Sequence, residues 1–175
     1  MADLNSQLGQ IKSNESFLER IARYIPGYDG YVNRDNSREL DTLLRQTLAS
    51  KLGAGKQSIK NTVLNLSRSG KMFETEGIDK LDKKMQNVIA KLNSASRGYS
   101  GMFDVVKIKD EKLNMLYQFD SSLIDFVNEI LKNLAQMDSD SAANTDIKST
   151  QQATDAILQN MILKFDEREM LLKNL

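Results

Sequence analysis

The sequence predicts an all-α protein, an elongated antiparallel helical bundle or coiled coil of about five helices in a single domain over residues 1–175. Three observations carry this. Apolar side chains recur at alternating three- and four-residue intervals in each long segment, which places them along one face of a helix. The chain has one proline and few β-branched runs. Its make-up, 40% apolar and 27% charged, suits amphipathic helices that share a core of Leu, Ile, Met and Val, since Trp is absent. Heptad spacing rather than a 3.6-residue period implies left-handed, coiled-coil-like packing.

The first helix, about 3–25, follows Leu4, Leu8, Ile11, Leu18, Ala22 and Ile25, with Glu15 in the one missing slot. Pro26 ends it, because a proline pushes its predecessor out of the α region. The second, about 36–69, opens on Asn36 and Glu39, which resemble a capping box. Its stripe runs Leu40, Leu44, Leu48, Leu52, then Ile59, Val63 and Leu66 across Gly53 and Gly55. The unbroken phase favours one long helix, bent at the glycines, over two short ones. Gly70 ends it. The third, about 75–97, has the strictest series: Ile78, Leu81, Met85, Val88, Leu92 and Ala95. The fourth, about 110–137, carries Leu113, Leu116, Phe119, Leu123, Val127, Ile130, Leu134 and Met137. The polar run that follows reads as a flexible linker over 138–148. The fifth, about 149–174, carries Leu158, Met161, Phe165, Leu172 and Leu175, with Arg168 in the missing slot. A polar residue in such a slot can set register at a cost in stability. The simpler reading has the helix rotate slightly and the side chain snorkel to water.

The chain has no Cys and no His. Disulfides, the common zinc sites, the Glu-x-x-His di-iron arrangement of four-helix bundles, and Ser-His-Asp or Cys-His catalysis are therefore excluded. No enzyme activity, cofactor or metal is expected. Net charge is zero, which argues against nucleic acid as the main partner. The charge is uneven: residues 1–70 carry ten basic and seven acidic side chains, residues 111–175 six and eleven. That polarity suits antiparallel packing or head-to-tail contact. The first ten residues hold no apolar run, and no stretch approaches the ~18 residues that span a bilayer. The expectation is a cytoplasmic protein. "GAGKQS" at 53–58 lacks the first glycine, the hydroxyl and the preceding strand of a phosphate loop, and reads as a small-residue contact on a helix face. "DSDSAANTDIKS" at 138–149 lacks the glycine and glutamate of a calcium loop.

One joint concentrates the unusual residues. "ARYIPGYDGYVNR" at 22–34 holds the only proline and three of the five tyrosines. "GYSGM" at 98–102 echoes its "GYDGY", as an internal duplication of period 71–73 would. Glycine supplies positive φ at a turn, and tyrosine can cover a bundle end while its hydroxyl stays wet. Arg23, Tyr28, Tyr31 and Arg34, with Tyr99 and Phe103 of the second joint, are the candidate binding residues. They would form either a structural plug or an anion- or peptide-binding surface with Arg as charge and Tyr as platform.

The segments "RYIPGYDGYVNRDNSRELDTLLRQTLASKL" and "GYSGMFDVVKIKDEKLNMLYQFD" resemble an uncharacterised family of bacterial and archaeal coiled-coil proteins. Its members carry a Gly-Tyr-x-Gly-Tyr segment before an Arg/Glu-rich helix and, later, a Gly-Tyr-Ser-Gly-Phe-Phe-Asp-type loop. The resemblance covers 22–52 and 97–135. Met102 stands where that pattern has an aromatic, and Val105 where it tends to have Ala. It implies a helical fold and marks the two joints. It implies no activity and supplies no catalytic residue.

The function expected is that of a non-enzymatic interaction or scaffold protein that self-associates or docks a protein partner through helix faces. Ile157, Ile162, Met170 and Leu171 give the last helix a second apolar edge beyond what one neighbour need cover. One alternative is a peripheral membrane or envelope-stress factor that binds a lipid surface through its first helix, where Lys12, Arg20 and Arg23 face out. Another is a small-ligand binder or enzyme at the tyrosine joints, relying on Tyr, Arg and carboxylates such as Asp29 or Asp104.

Overall fold

The computed structural model describes residues 17, 19–28, 34–94 and 110–173, and no strand occurs among them. α1 is described over 19–24. α2 spans Arg34–Arg68, α3 Met72–Ser94, α4 Asp110–Ala142 and α5 Lys148–Lys173. α2 packs on α3 and α4, and α5 packs on α4 and α3, so the four long helices close a ring.

α2–α3 and α4–α5 are each an antiparallel hairpin, as expected, but the two hairpins lie side by side with like helices parallel. Asn61 and Asn65 of α2 meet Asp138 and Ser141 of α4, while Asp41 and Asp120 meet at the opposite end through one arginine. Likewise Lys84 pairs with Asp155 at 2.5 Å and Lys91 with Asp166, so α3 and α5 run together. Parallel neighbours bring like dipole ends together, which is unfavourable. Opposite net charge offsets this. α2 carries seven basic and three acidic residues, α4 two and seven. The uneven charge of the sequence thus meets itself within one chain.

Both hairpin turns use the same device. Gly70 has φ 76°; its N–H donates to Ser67 O (3.3 Å), and the N–H of Lys71 donates to Leu66 O (2.9 Å). This is the 6→1 and 5→2 pair of a Schellman motif. Asn144, at φ 58°, repeats it: its N–H donates to Ser141 O (3.1 Å) and that of Thr145 to Asp140 O (2.8 Å). Lys71 Nζ then donates to Asn144 O (3.1 Å), tying the two turns together.

The observed elements differ from the sequence reading in four places. α2 begins at Arg34, so Asn36 lies inside the helix and is not its N-cap. α4 runs on to Ala142, so the linker shrinks to 143–147 and ends on fully buried Ile147. Its polar residues face polar partners. Asp138 accepts from Asn61 Nδ2 (2.8 Å), and the buried Ser141 accepts from Asn65 Nδ2 (3.2 Å). Composition reads such a run as solvated; here it is an interface. α3 begins three residues early, at Met72, because the Gly70 turn lets the chain re-enter a helix at once. In α1 the inward face holds Ile21 and Ile25, whereas Ala22 is exposed.

α2 is continuous through both glycines, 35 residues or about 52 Å long. Gly55 is buried, and a Cβ there would lie 2.8 Å from methyl groups of Leu131 and Leu134. The missing side chain lets α4 approach. Gly53 has nothing within 4 Å of the same position. Gly53→Ala should therefore raise stability by up to about 1 kcal/mol through helix propensity. Gly55→Ala should lose that gain to the clash and lower the urea midpoint. Chemical denaturation of the two variants, read at equal m-value, separates the roles.

Candidate functional site

Four buried charges sit at the end of the bundle where α2 and α4 begin. Asp41 and Arg45 are each 2% exposed, and Asp120 and Arg168 are fully buried. Arg45 Nε donates to Asp41 Oδ2 (2.8 Å), one helical turn away. Its Nη1 reaches across to Leu92 O (2.9 Å), in the last turn of α3 as described. Arg168 of α5 lies between two carboxylates. Its Nε donates to Asp120 Oδ1 (2.6 Å), and its Nη1 forms an ion pair of 2.6 Å with Asp41 Oδ1. Tyr28, 3% exposed, completes the chain by donating its hydroxyl to Asp120 Oδ2 over a long 3.3 Å.

The network has two cations and two anions, so it is neutral. It touches α2, α3, α4 and α5 and anchors the turn that follows α1. Its charges lie in the interior rather than on the wall of a cleft, so its chemistry is cross-linking. Arg168 does not snorkel to water. A charge this deep is tolerable only when paired, and here α2 and α4 each supply a carboxylate. A one-turn slide of α5 would move Arg168 about 5.4 Å from both carboxylates. The network therefore fixes register.

The sequence held a signal for this. In α2 the buried line runs 41, 45, 48, 52, 55, 59, 62 and 66; in α4 it runs 116, 120, 123, 127, 130, 134, 137 and 141. Both keep the alternating heptad rhythm once Asp41, Arg45 and Asp120 are admitted to apolar slots. The sequence reading followed the neighbouring Leu40–Leu44 and Phe119 instead, and so saw only Arg168. Polar slots of opposite sign on three helices, all near the same bundle end, are the pattern that identifies the cluster. Thr62 and Thr154, also in buried slots, satisfy their hydroxyls on the carbonyls of Ser58 (2.8 Å) and Thr150 (2.7 Å).

Of the candidate binding residues, the structure joins Tyr28 to the network. Its hydroxyl meets a buried carboxylate rather than water. Arg23 is exposed on α1, and Arg34 is the first residue of α2. Tyr31, Tyr99 and Phe103 lie outside the described residues, as do Asp29 and Asp104. The helix ends that flank both joints share this end of the bundle. The arginine that reaches a helix carbonyl there is Arg45, which the sequence reading did not single out.

Tyr24 sits nearby on α1. Lys51 Nζ lies 4.3 Å from its ring centroid, a cation–π contact, and its hydroxyl is buried with no hydrogen-bond partner. Burial pushes its pKa up to about 12. Between α3 and α5 lies a cleft of about 380 Å³, lined mainly by Lys80, Gln151, Gln152, Asp155 and Gln159. Gln151 occupies the space that a side chain at Gly77 would need. Among the described residues no group of three or more acidic side chains is placed to hold a metal ion. No known family model, characterised protein or solved structure matches this chain.

Removing Arg168 while its carboxylates stay buried should be severe. Arg168→Met is expected to cost about 3–5 kcal/mol, and Tyr28→Phe only about 1 kcal/mol. Thermal and urea unfolding of both variants measures this. Tyr24→Phe should be neutral or stabilising at pH 7, because it removes an unsatisfied hydroxyl. The wild-type tyrosine titrates near 10 when unfolded and near 12 when folded, so its contribution is intact below pH 10 and is lost as pH rises through 12. Urea midpoints from pH 8 to 12 should show the stability of the wild type falling relative to Tyr24→Phe across that window.

Proposed function

We propose that this chain is a non-enzymatic helical interaction or scaffold protein, cytoplasmic, that acts by self-association or by docking a partner protein. The observation that carries this is an apolar ridge on α5. Leu163 and Met170 are 58% and 56% exposed and stand two turns apart on one face. Half-buried Ile162 and Leu171 flank them. The ring of helices makes no use of this ridge, and apolar side chains clustered on a free face are the usual substrate for association. Phe73, 97% exposed, and Met72 add a second apolar point beside the hairpin turn of α3.

The buried network supports a structural role in preference to an enzymatic one. Its charges neutralise one another and are spent on holding helices together. The lipid-surface alternative draws less support. Ile21 and Ile25 of α1 face the bundle core, and Arg20 is engaged by Asp125. No described helix is long and apolar enough to cross a membrane.

Light scattering after size exclusion tests the reading. The wild type should exceed its 19.8 kDa chain mass as concentration rises. Leu163→Glu/Met170→Glu should lower the mass reached at each concentration, with an unchanged melting temperature. A wild type that stays monomeric at several hundred micromolar, and recovers no partner in a pull-down, would remove the proposal.

A further inference from the structure

The four long helices close their ring without α1, which lies on the outside along the seam between α2 and α4. That seam changes character along its length. On α2 one flanking line runs Leu40, Leu44, Thr47, Lys51, then on to Asn61 and Asn65; on α4 the matching line runs Tyr117, Ser121, Ile124, then on to Asp138. The first halves are apolar and buried at Leu40, Leu44, Tyr117 and Ile124. The second halves close on each other through the Asn61, Asn65 and Asp138 hydrogen bonds and need no cover. α1 lies over the first half. Its Arg20 donates to Ser121 Oγ (3.1 Å) and pairs with Asp125, its Tyr24 ring meets Lys51, and Ile21 and Ile25 are fully buried. The groove is thus a helix site, and α1 is its occupant.

The α1 of a second copy would make each of these contacts equally, the Tyr28 bond to Asp120 included, so chain connectivity is what favours α1 in its own groove. Its surface clasp, Arg20 with Asp125, is about half exposed on both sides and open to screening by salt. Docking leaves the Tyr24 hydroxyl buried without a partner. Pro26 and Gly27, at φ 86°, break the chain, and α2 begins only at Arg34. Tyr28 belongs with α1 through its buried contact, so the tether is the five residues 29 to 33, which could span about 17 Å if extended. We propose that α1 is exchangeable and that the α2–α4 groove accepts the α1 of a second copy, giving a reciprocal dimer. A second copy offers the same isoleucines, tyrosine and arginine, and exchange of an identical element creates no new interface chemistry. The α5 ridge takes no part, so this inference and the proposed function can fail separately.

Charge reversal across the clasp tests the exchange. In the Leu163→Glu/Met170→Glu background, which removes the α5 ridge, Arg20→Asp alone and Asp125→Arg alone each oppose like charges and should remain at 19.8 kDa. An equimolar mixture can restore both pairs, one in each sense, only by exchanging α1. It should yield a species of twice that mass. Because the chain has no cysteine, Ala22→Cys and Asn128→Cys, both at exposed positions, provide labelling sites. In the Leu163→Glu/Met170→Glu background, donor-labelled Ala22→Cys chains mixed with acceptor-labelled Asn128→Cys chains should show energy transfer that grows with concentration. A mixture that stays at monomer mass with no transfer overturns the inference. So does a dimer formed equally by each charge-reversed variant alone, since that association would not use the clasp.

Discussion

Two arginines and two aspartates buried at one end of the bundle constrain everything else in this structure. Apolar seams are permissive, because one heptad of leucines packs nearly as well as the next. A buried charge is not permissive. Arg168 must meet Asp41 of α2 and Asp120 of α4 together, and Arg45 must meet both Asp41 and the Leu92 carbonyl of α3. Only one mutual register of the four helices satisfies all of these. Such a network adds little net stability over an apolar core, because desolvation consumes most of the Coulomb gain. Its consequence is specificity: it rejects the slipped and rotated packings that the heptads alone would allow.

The same logic explains how two hairpins lie parallel despite opposing dipoles. α2 is basic and α4 acidic, and their contact is polar at one end and ionic at the other. Gly55 lets the two helices close in between, where Leu131 and Leu134 fill the room it leaves. At the far end the Gly70 and Asn144 turns are joined by Lys71. Each contact ties one hairpin to the other, so the assembly behaves as one unit rather than as two coiled coils. The groove under α1 and the ridge on α5 are then two distinct surfaces of a rigid body.

Much of the helical architecture was legible in the residues. The heptad spacing of Ile78, Leu81, Met85, Val88 and Leu92 marks α3, and each of these side chains is buried. The single break at Pro26 and the stop at Gly70 follow from backbone chemistry that acts within a few residues. The candidate site was less legible. Tyr28 stands out through its turn, yet the carboxylate it meets lies 92 residues away. Asp41, Arg45 and Asp120 look like ordinary surface charges until their slots are counted. The 138–142 stretch was misjudged because serine and aspartate are as much at home against asparagines as against water.

The sequence by itself determined which segments are helical, where two of them stop, and that histidine and cysteine chemistry is absent. Those properties depend on local propensity, periodicity and composition, all of which act over short distances along the chain. Tertiary structure alone decided that the hairpins lie parallel, that Arg168 goes inward, and that Ile21 rather than Ala22 faces the core. These are choices between packings of similar local energy. They are settled where side chains remote in sequence must neutralise one another out of water, and a one-dimensional pattern does not say which charge will meet which.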